Sequence, residues 1–413
     1  MRVLRPGPFR RYMAGEALST TGTWMQVMAE QWVMTGLTAS AFTLGLVTFA
    51  TGMPVLLLTM VGGATADKYS KRTIVLVCQT GQIALASVMG LLIYWQLIQV
   101  WHVIAIAACA GVVNAFEMPA VSALVPELVE KDEIGDALAI DRSTFHLTRF
   151  AGPAIAGVVI GIWGPAVAFF ANALSFVPLM IALWSLPAFP QGQPEAEDED
   201  DGDNGGIKAG LAYVRRDPPT FAMIGIMACV TLFPMPCLLV LLPLYARQLG
   251  LDASGMGMMM AINAAGAFLG SILLLRVPRS RRPLTVGFAA LGVGGGLVGL
   301  AAVANGYLAT AVLFGLSICL ALTFGLVNTT VQERVPGRLR GRVSAVSQMT
   351  YFGMQPFTAL SMSALADAVG LKATFLIAGP LYALGVVALV LGPGKHVVDT
   401  PAPDLEAEPA AAV

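Results

Sequence analysis

Charge is what this chain has least of. Of its 413 residues only 12% are Asp, Glu, Lys or Arg, about half the share of a soluble globular protein. Histidine is reduced to three residues, and the five cysteines (Cys78, Cys109, Cys229, Cys237 and Cys319) stand singly inside apolar stretches. With no CxxC pair and no metal-type spacing they read as small packing residues, and no metal site is expected. A phosphate-binding loop is missing too: Gly292-x-Gly294-Gly295-Gly296 lies within an apolar run, not after a strand. No nucleophile–base pair is visible, so the chain is not expected to be an enzyme, nor to take a cofactor or a nucleic-acid partner.

What the chain has in abundance is hydrocarbon. It is 56% hydrophobic, with a mean hydropathy of +0.75. About 20 apolar residues cross the ~30 Å hydrocarbon layer as a helix, and twelve such runs are expected, at 12–34, 41–61, 73–95, 101–125, 143–163, 166–186, 220–245, 254–275, 284–304, 307–330, 344–366 and 371–392. The basic start, Met1–Arg11, runs into a full span with no small-residue cleavage site, so no cleavable signal peptide is expected.

The connections carry the orientation. Arg2, Arg5, Arg10 and Arg11, then Lys68, Lys71 and Arg72, Lys131 and Arg142, Lys208, Arg215 and Arg216, Arg276 to Arg282, Arg334 to Arg342, and Lys395 all fall on one side of the expected spans. The other side has only Arg247 and Lys372, and Arg149 lies within a span. Loops rich in Lys and Arg stay cytoplasmic, which places both termini there.

The middle of the chain is different. Residues 187–219 hold Glu195, Glu197, Asp198, Glu199, Asp200, Asp201 and Asp203 among prolines and glycines, the composition of a solvated linker. Within it Ile207, Leu211 and Val214 suggest a short amphipathic helix on the membrane surface. The expected organisation is therefore an amino-terminal six-helix bundle (1–186), a linker (187–219), a carboxyl-terminal six-helix bundle (220–393) and a disordered cytoplasmic tail (394–413). A weak internal repeat agrees: Gly62–Thr73 and Gly270–Arg281 are both glycine-led span ends running into basic turns, and Pro126 corresponds to Pro336. Leu275 stands where the second copy would have Asp67.

Ions inside a bilayer usually have a reason, since a central Asp or Arg costs about 2.5–3.5 kcal/mol. The candidates are Glu16 and Glu30 in the first span, Glu117 in the fourth, Arg149 in the fifth and His146 beside it. At 1.5 Å per residue Glu16, Arg149 and Glu117 lie about 9, 10 and 12 Å inward. Such a set is either a buried ionisable cluster that handles a proton or a static salt bridge fixing three helices. Glu30 lies on nearly the same face as Glu16, so the first span is expected to line a pathway. Trp24, Met28 and Asn114 in the first half, and Asn328, Gln348 and Gln355 in the second, are further candidates for a substrate cavity.

Six stretches carry a family resemblance. Gly63, Asp67, Lys68, Lys71 and Arg72 match the loop between helices 2 and 3 of the major facilitator superfamily, with Ser70 where that pattern has glycine. Asn114–Ala120, Val125–Leu128 and Arg149–Gly157, together with Thr23-Trp24-Met25-Gln26 and Arg338–Val343, resemble its enterobactin-exporter-like branch, the transmembrane secretion effectors. Gly152, Pro153 and Gly157 also resemble the fifth-span signature of proton-coupled exporters, although Thr148 and Ala156 replace two of its glycines.

The resemblance implies an all-α membrane protein of two pseudo-symmetric six-helix bundles. It implies a monomeric, multi-pass transporter of a bacterial cytoplasmic membrane. Its expected function is export of a small amphipathic molecule, a siderophore or a macrolide-like drug, by alternating access driven by the proton gradient. It gives the 62–72 loop a gating role, with Asp67 latching to the Arg338–Arg342 region. The span-four arginine signature of proton antiporters is absent, since no Arg or Lys occurs between Arg72 and Lys131. A lysolipid or lipid transporter of the same fold, or a membrane scaffold or sensor that transports nothing, are the alternatives.

Overall fold

The computed structural model describes residues 7–185 and 206–394. The acidic run at 195–203 and the tail from 395 onward lie outside the described residues. Six long helices form the first half: α1 (Pro8–Leu37), α2 (Ala41–Lys68), α3 (Lys71–Tyr94), α4 (Val100–Glu127), α5 (Ile134–Trp163) and α6 (Pro165–Trp184). A short helix, α7 (Gly206–Arg216), precedes the second half. There the seventh span is assembled from α8 (Pro218–Leu232), the single turn α9 (Pro234–Pro236), a π-turn at Cys237–Leu241 and α10 (Leu242–Gln248). The spans α11 (Ala253–Leu274), α12 (Arg282–Ala302) and α13 (Gly306–Arg334) follow. The eleventh span joins α14 (Gly337–Gln348) to α15 (Met354–Val369) through a second π-turn at Met349–Gly353, and α16 (Leu371–Leu391) is the twelfth.

No strand occurs among the described residues, as hydrocarbon requires, because a helix satisfies its own backbone groups. Ten of the twelve spans are long and apolar enough to cross a membrane by composition alone. The two exceptions have evident causes. α1 carries Glu16, Glu30 and a polar run at Ser19–Thr23, and the eleventh span is interrupted by its π-turn and starts with Arg338, Arg340 and Arg342. Expected boundaries are most in error at α5, which begins at Ile134 rather than near 143 because Ile134, Ala137 and Leu138 extend its apolar face. Helix starts are capped by polar side chains: Ser40 accepts from Thr43 N, Asp252 from Gly255 N, and Asn305 from Tyr307 N and Leu308 N.

The two halves repeat one plan. In the first, α1 packs on α5 and α6, α2 on α4, and α3 on α4 and α6. In the second, α11 packs on α13 and α12 on α13 and α16, each pairing displaced by six spans. The tight links between the fifth and sixth and between the eleventh and twelfth spans share a device. Gly164 (φ 84°, ψ 167°) and Gly370 (φ 88°, ψ 156°) both adopt a backbone region open essentially to glycine alone. Contacts between the halves run along α5 with α11 and α2 with α15. Large apolar residues such as Leu174, Ile181, Phe288 and Leu384 stay exposed on the outside, where lipid covers them.

The short helix expected at 207–216 is present as α7, but it does not simply float on a surface. It docks on α14, with Tyr213 and Val214 buried and Gly210 against the Arg342 backbone, whereas Leu211 is exposed. Behind it Asp217 accepts two hydrogen bonds from Arg334, Nε to Oδ2 and Nη2 to Oδ1, both 2.7 Å, and further ones from Thr220. Burial works to raise the Asp217 carboxyl, but the bonds from Arg334 and Thr220 outweigh it and hold it below the usual carboxylate range. A carboxylate held low in the folded state gives stability that is complete above its ordinary value near 3.9 and lost as pH falls through the folded value. The clamp should therefore hold α7 down to about pH 4 and release below it. Arg334→Ala leaves a buried carboxylate uncompensated, at a cost of about 3–5 kcal/mol. A thermal unfolding midpoint lowered by more than about 5 °C is expected in detergent at neutral pH.

Candidate functional site

We call the ends that carry the basic turns the basic face, and the opposite ends the far face. The halves meet toward the far face. On one flank Gly157 of α5 lies against α11 so closely that a Cβ there would sit 3.0 Å from Ala253 O and 3.1 Å from Gly257 Cα. Ser254 Oγ donates to Gly157 O across this seam at 3.2 Å. On the other flank Gly45, Phe49, Gly52 and Leu56 form one stripe of α2 against Ser363, Phe357, Pro356 and Gly353 of the eleventh span. Asp367, at the end of α15, caps α2 of the opposite half: it accepts from Ser40 Oγ (2.6 Å), Ala41 N (2.6 Å) and Phe42 N (3.1 Å). A carboxylate at a helix N-terminus meets both orphan N–H groups and the positive dipole end.

The α2 stripe continues toward the basic face as Met60, Gly63 and Asp67, and there the contact ends. Met60 and Asp67 are exposed, and nothing lies within 4 Å of a Cβ placed on Gly63. Gly62, not Gly63, makes the close approach expected of this pair, against the Ala115 carbonyl of α4. Asp67 forms no ion pair among the described residues, so the expected latch to the Arg338–Arg342 region is unmade in this arrangement. Lys68 lies over the Tyr69 ring, while Lys71 pairs with Glu127 and Arg72 Nη2 donates to Trp184 O at 2.9 Å. Both of these last contacts stay within the first half.

Between the halves lies a cavity of about 420 Å³, within the range of small-molecule sites. Thr23, Val27, Glu30 and Met34, at helical spacing, form its α1 wall. Gln82, Asn114, Arg149 and Asn172 add polar groups from the rest of the first half. Two amide pairs organise them: Gln82 Nε2 donates to Asn114 Oδ1 (2.8 Å) and Asn172 Nδ2 to Gln26 Oε1 (2.7 Å). The second half contributes Leu239, Val240, Tyr351, Phe352 and Gln355, almost all from the two π-turns. Such turns detach carbonyls from the helical ladder, and one of them, Leu239 O, accepts from Gln31 Nε2 of α1 at 3.0 Å. The result is a mixed lining: the first half brings most of the polar groups together with Trp24, Phe145 and Phe176, and the second half adds apolar and aromatic surface with Tyr351 and Gln355.

The ions expected to share one cluster are split between two places. Arg149 lies in the cavity, its guanidinium 5.2 Å from the Trp24 ring centroid. Glu117 turns to the other side of α4 and accepts from the buried Gln79 Nε2 at 2.6 Å, with Gln82 and Glu16 beside it. Glu16 accepts from Thr20 Oγ1 at 3.0 Å, and Tyr12 and Asp141 complete this group. No ion pair joins Arg149 to Glu117 or Glu16 among the described residues. Equal depth placed them on one level, but helix rotation, which depth does not report, sends them to different faces. His146 is exposed at the opening and not in the group.

Of the expected cavity residues, Trp24, Glu30, Asn114 and Gln355 line it. Met28 is fully buried in packing, Gln348 is exposed immediately before the π-turn, and Asn328 accepts from Gln332 along α13. Tyr351, Gln31, Gln82 and Asn172 were not anticipated. The signal for Asn172 was available, as a lone amide in an otherwise apolar span. Gly152 packs on Trp24 and Thr21 of its own half, whereas Pro153 and Gly157 meet Gly257 of the other.

The sequence profile described as "Transmembrane secretion effector" matches residues 3–405. The multidrug efflux pump Tap of Mycobacterium tuberculosis is 27% identical over 428 aligned positions, covering 98% of each chain. Macrolide efflux protein A of Streptococcus pyogenes is 20% identical, over 90% of this chain and 93% of that one. Among solved structures, a bacterial homologue of the iron transporter ferroportin in an inward-facing state superposes with a TM-score of 0.72 at 14% identity, covering 93% of this chain and 98% of that chain. At that identity the likeness concerns the major facilitator fold.

The Asp367 cap is the polar lock on the far seam. A charged cap of this kind contributes about 1 kcal/mol, so Asp367→Ala should raise the far-open population about fivefold. A cysteine at Thr48, which lines the cavity, should then react correspondingly faster with an impermeant maleimide applied from the far side. An unchanged rate would show that the glycine seam alone sets the closure.

Proposed function

The chain belongs to the transmembrane secretion effector family, and from that footing we propose that it is a proton-coupled exporter of small amphipathic molecules. The observation that carries this reading is the cavity between the halves, sealed toward the far face and bordered by parted helices toward the basic face. With the basic face cytoplasmic, as its Lys and Arg residues favour, the cavity is presented to the inside and loads cargo there. Its polar groups, gathered mostly on the first half, and its apolar and aromatic surface from both halves suit an amphipathic molecule. The drug and macrolide pumps among the relatives support the same cargo class.

Export then needs the seam to change ends. As the far contacts separate, the cytoplasmic ends close and Asp67 comes to the start of α14. Gly157 and Gly257 give the α5–α11 contact a smooth surface on which to rock. Coupling falls to Glu117 with Glu16. Gln82 stands both in the cavity wall and beside Glu117, so a polar route runs from cargo to carboxylate. A carboxyl placed between lipid and cavity changes its proton affinity as water reaches or leaves it.

The test uses the purified chain in proteoliposomes with an imposed pH gradient and radiolabelled erythromycin. Gradient-driven, uncoupler-sensitive accumulation is expected. Glu117→Gln should cut the driven rate at least about tenfold, a change of ~1.4 kcal/mol in the barrier, with the protein still monodisperse. An undiminished driven rate in that variant removes Glu117 from the mechanism. Movement indifferent to the gradient removes proton coupling, and no movement under any gradient removes the exporter reading.

A further inference from the structure

Among the described residues that line the cavity, two are ionisable with opposite signs when charged, the acid Glu30 and the base Arg149. Neither has an ion-pair partner among the described residues. Both ions are costly at membrane depth, and opposite charges in one poorly solvated cavity attract. A purely structural pair would therefore have closed on itself, as Asp217 and Arg334 do. Here geometry keeps the two apart. The Arg149 guanidinium is seated on the Trp24 ring at 5.2 Å, a cation–π contact that holds it beside one level of α1. Glu30 is six residues further along the same helix, about 9 Å on.

The space between them is arranged as well. Gln26 is neutral and already tied to Asn172, and the other polar groups of the lining, among them Gln31, Tyr351 and Gln355, are neutral too, so no second side chain there balances either ion. Across the cavity Leu239, Val240 and Phe352 offer apolar surface, and Tyr351 and Gln355 add neutral polar groups, so the second half supplies no charge. A purely anionic occupant would meet Arg149 but be repelled by Glu30. A purely cationic one would leave the guanidinium unpaired.

We infer that the cavity is built for a zwitterionic amphiphile, with its cationic group at Glu30, its anionic group at Arg149 beside Trp24, and its apolar body against Leu239, Val240 and Phe352 of the second half. The inference rests on the exporter reading of this cavity and narrows its cargo. It separates this chain from an exporter of polyanionic chelators, which would need several cations in the wall.

Rhodamine B, which bears a cationic xanthene and a carboxylate, and its ethyl ester, which keeps only the cation, form a matched pair of probes. Fluorescence polarisation titrations of both against the full chain in lipid nanodiscs read the charge preference directly. The wild-type protein should bind rhodamine B roughly tenfold more tightly than the ester, equivalent to ~1.4 kcal/mol. Arg149→Gln should bring the ratio near one, and Arg149→Lys should restore most of it. Glu30→Gln should weaken both dyes together and keep the ratio.

Monodisperse elution and an unchanged unfolding midpoint show that each variant is folded. If the wild-type protein binds the ester as tightly as rhodamine B, or if the ratio ignores Arg149→Gln, the inference is overturned. Failure to bind either dye overturns it too. Erythromycin transport in the same preparation judges the exporter reading separately, so driven transport without a charge preference sinks only the zwitterion.

Discussion

The seam at the far face is what joins the two halves of this molecule. Two glycine-bearing helices, α5 and α11, meet backbone to backbone through Gly157 and Gly257, and α2 meets α15 through Gly45, Gly52 and Pro356. Close approach of this kind is how helices associate in lipid, where burying apolar surface gains nothing over contact with acyl chains. Asp367 adds direction to a surface that is otherwise only smooth. By capping α2 of the opposite half it ties closure to one helix end. Because the seam occupies the far portion of α2 and ends before Met60, the cavity is left bordered by parted helices on one side and sealed on the other.

The ions follow a consistent physical division. Outside the hydrocarbon several are paired: Lys71 with Glu127, Arg282 and Arg279 with Glu333, and Asp217 with Arg334. These contacts hold each half together and fasten α7 to the second. Within the hydrocarbon they are not paired with one another. Glu16, Glu117 and Asp141 gather in the first half, and Glu30 and Arg149 stand in the cavity. A buried carboxylate group and a cavity holding an acid and a base apart are both costly arrangements, and both lie mainly in the first half. The second half supplies shape instead, through two π-turns that bend Leu239, Tyr351 and Phe352 toward the same space.

Much was legible before any coordinate. Low charge, twelve apolar runs and basic residues gathered on alternate connections follow from the cost of polar groups in lipid, and that cost acts on each segment separately. The membrane class, the helical class and the repeat of six therefore lie in the sequence itself. So do the residues worth asking about, since Glu30, Glu117 and Arg149 are conspicuous wherever they sit. Gly157 and Pro153 were likewise marked for packing by their type and spacing, without regard to partner.

What the sequence left open was which of those residues would meet. Depth along a helix is countable from the chain, but rotation about its axis and the choice of neighbour depend on how twelve helices pack together. That is why Glu117 and Arg149, level with each other by count, face different compartments, and why Asp67 stands apart from α14 here. The π-turns are different, because Pro243 and Pro356 stand four residues after Leu239 and Phe352 and deny those carbonyls a helical donor, a cause local to the sequence. Composition and periodicity decided that this chain would be a bundle of membrane helices; packing between helices far apart in sequence decided where the cavity lies and which ions face into it.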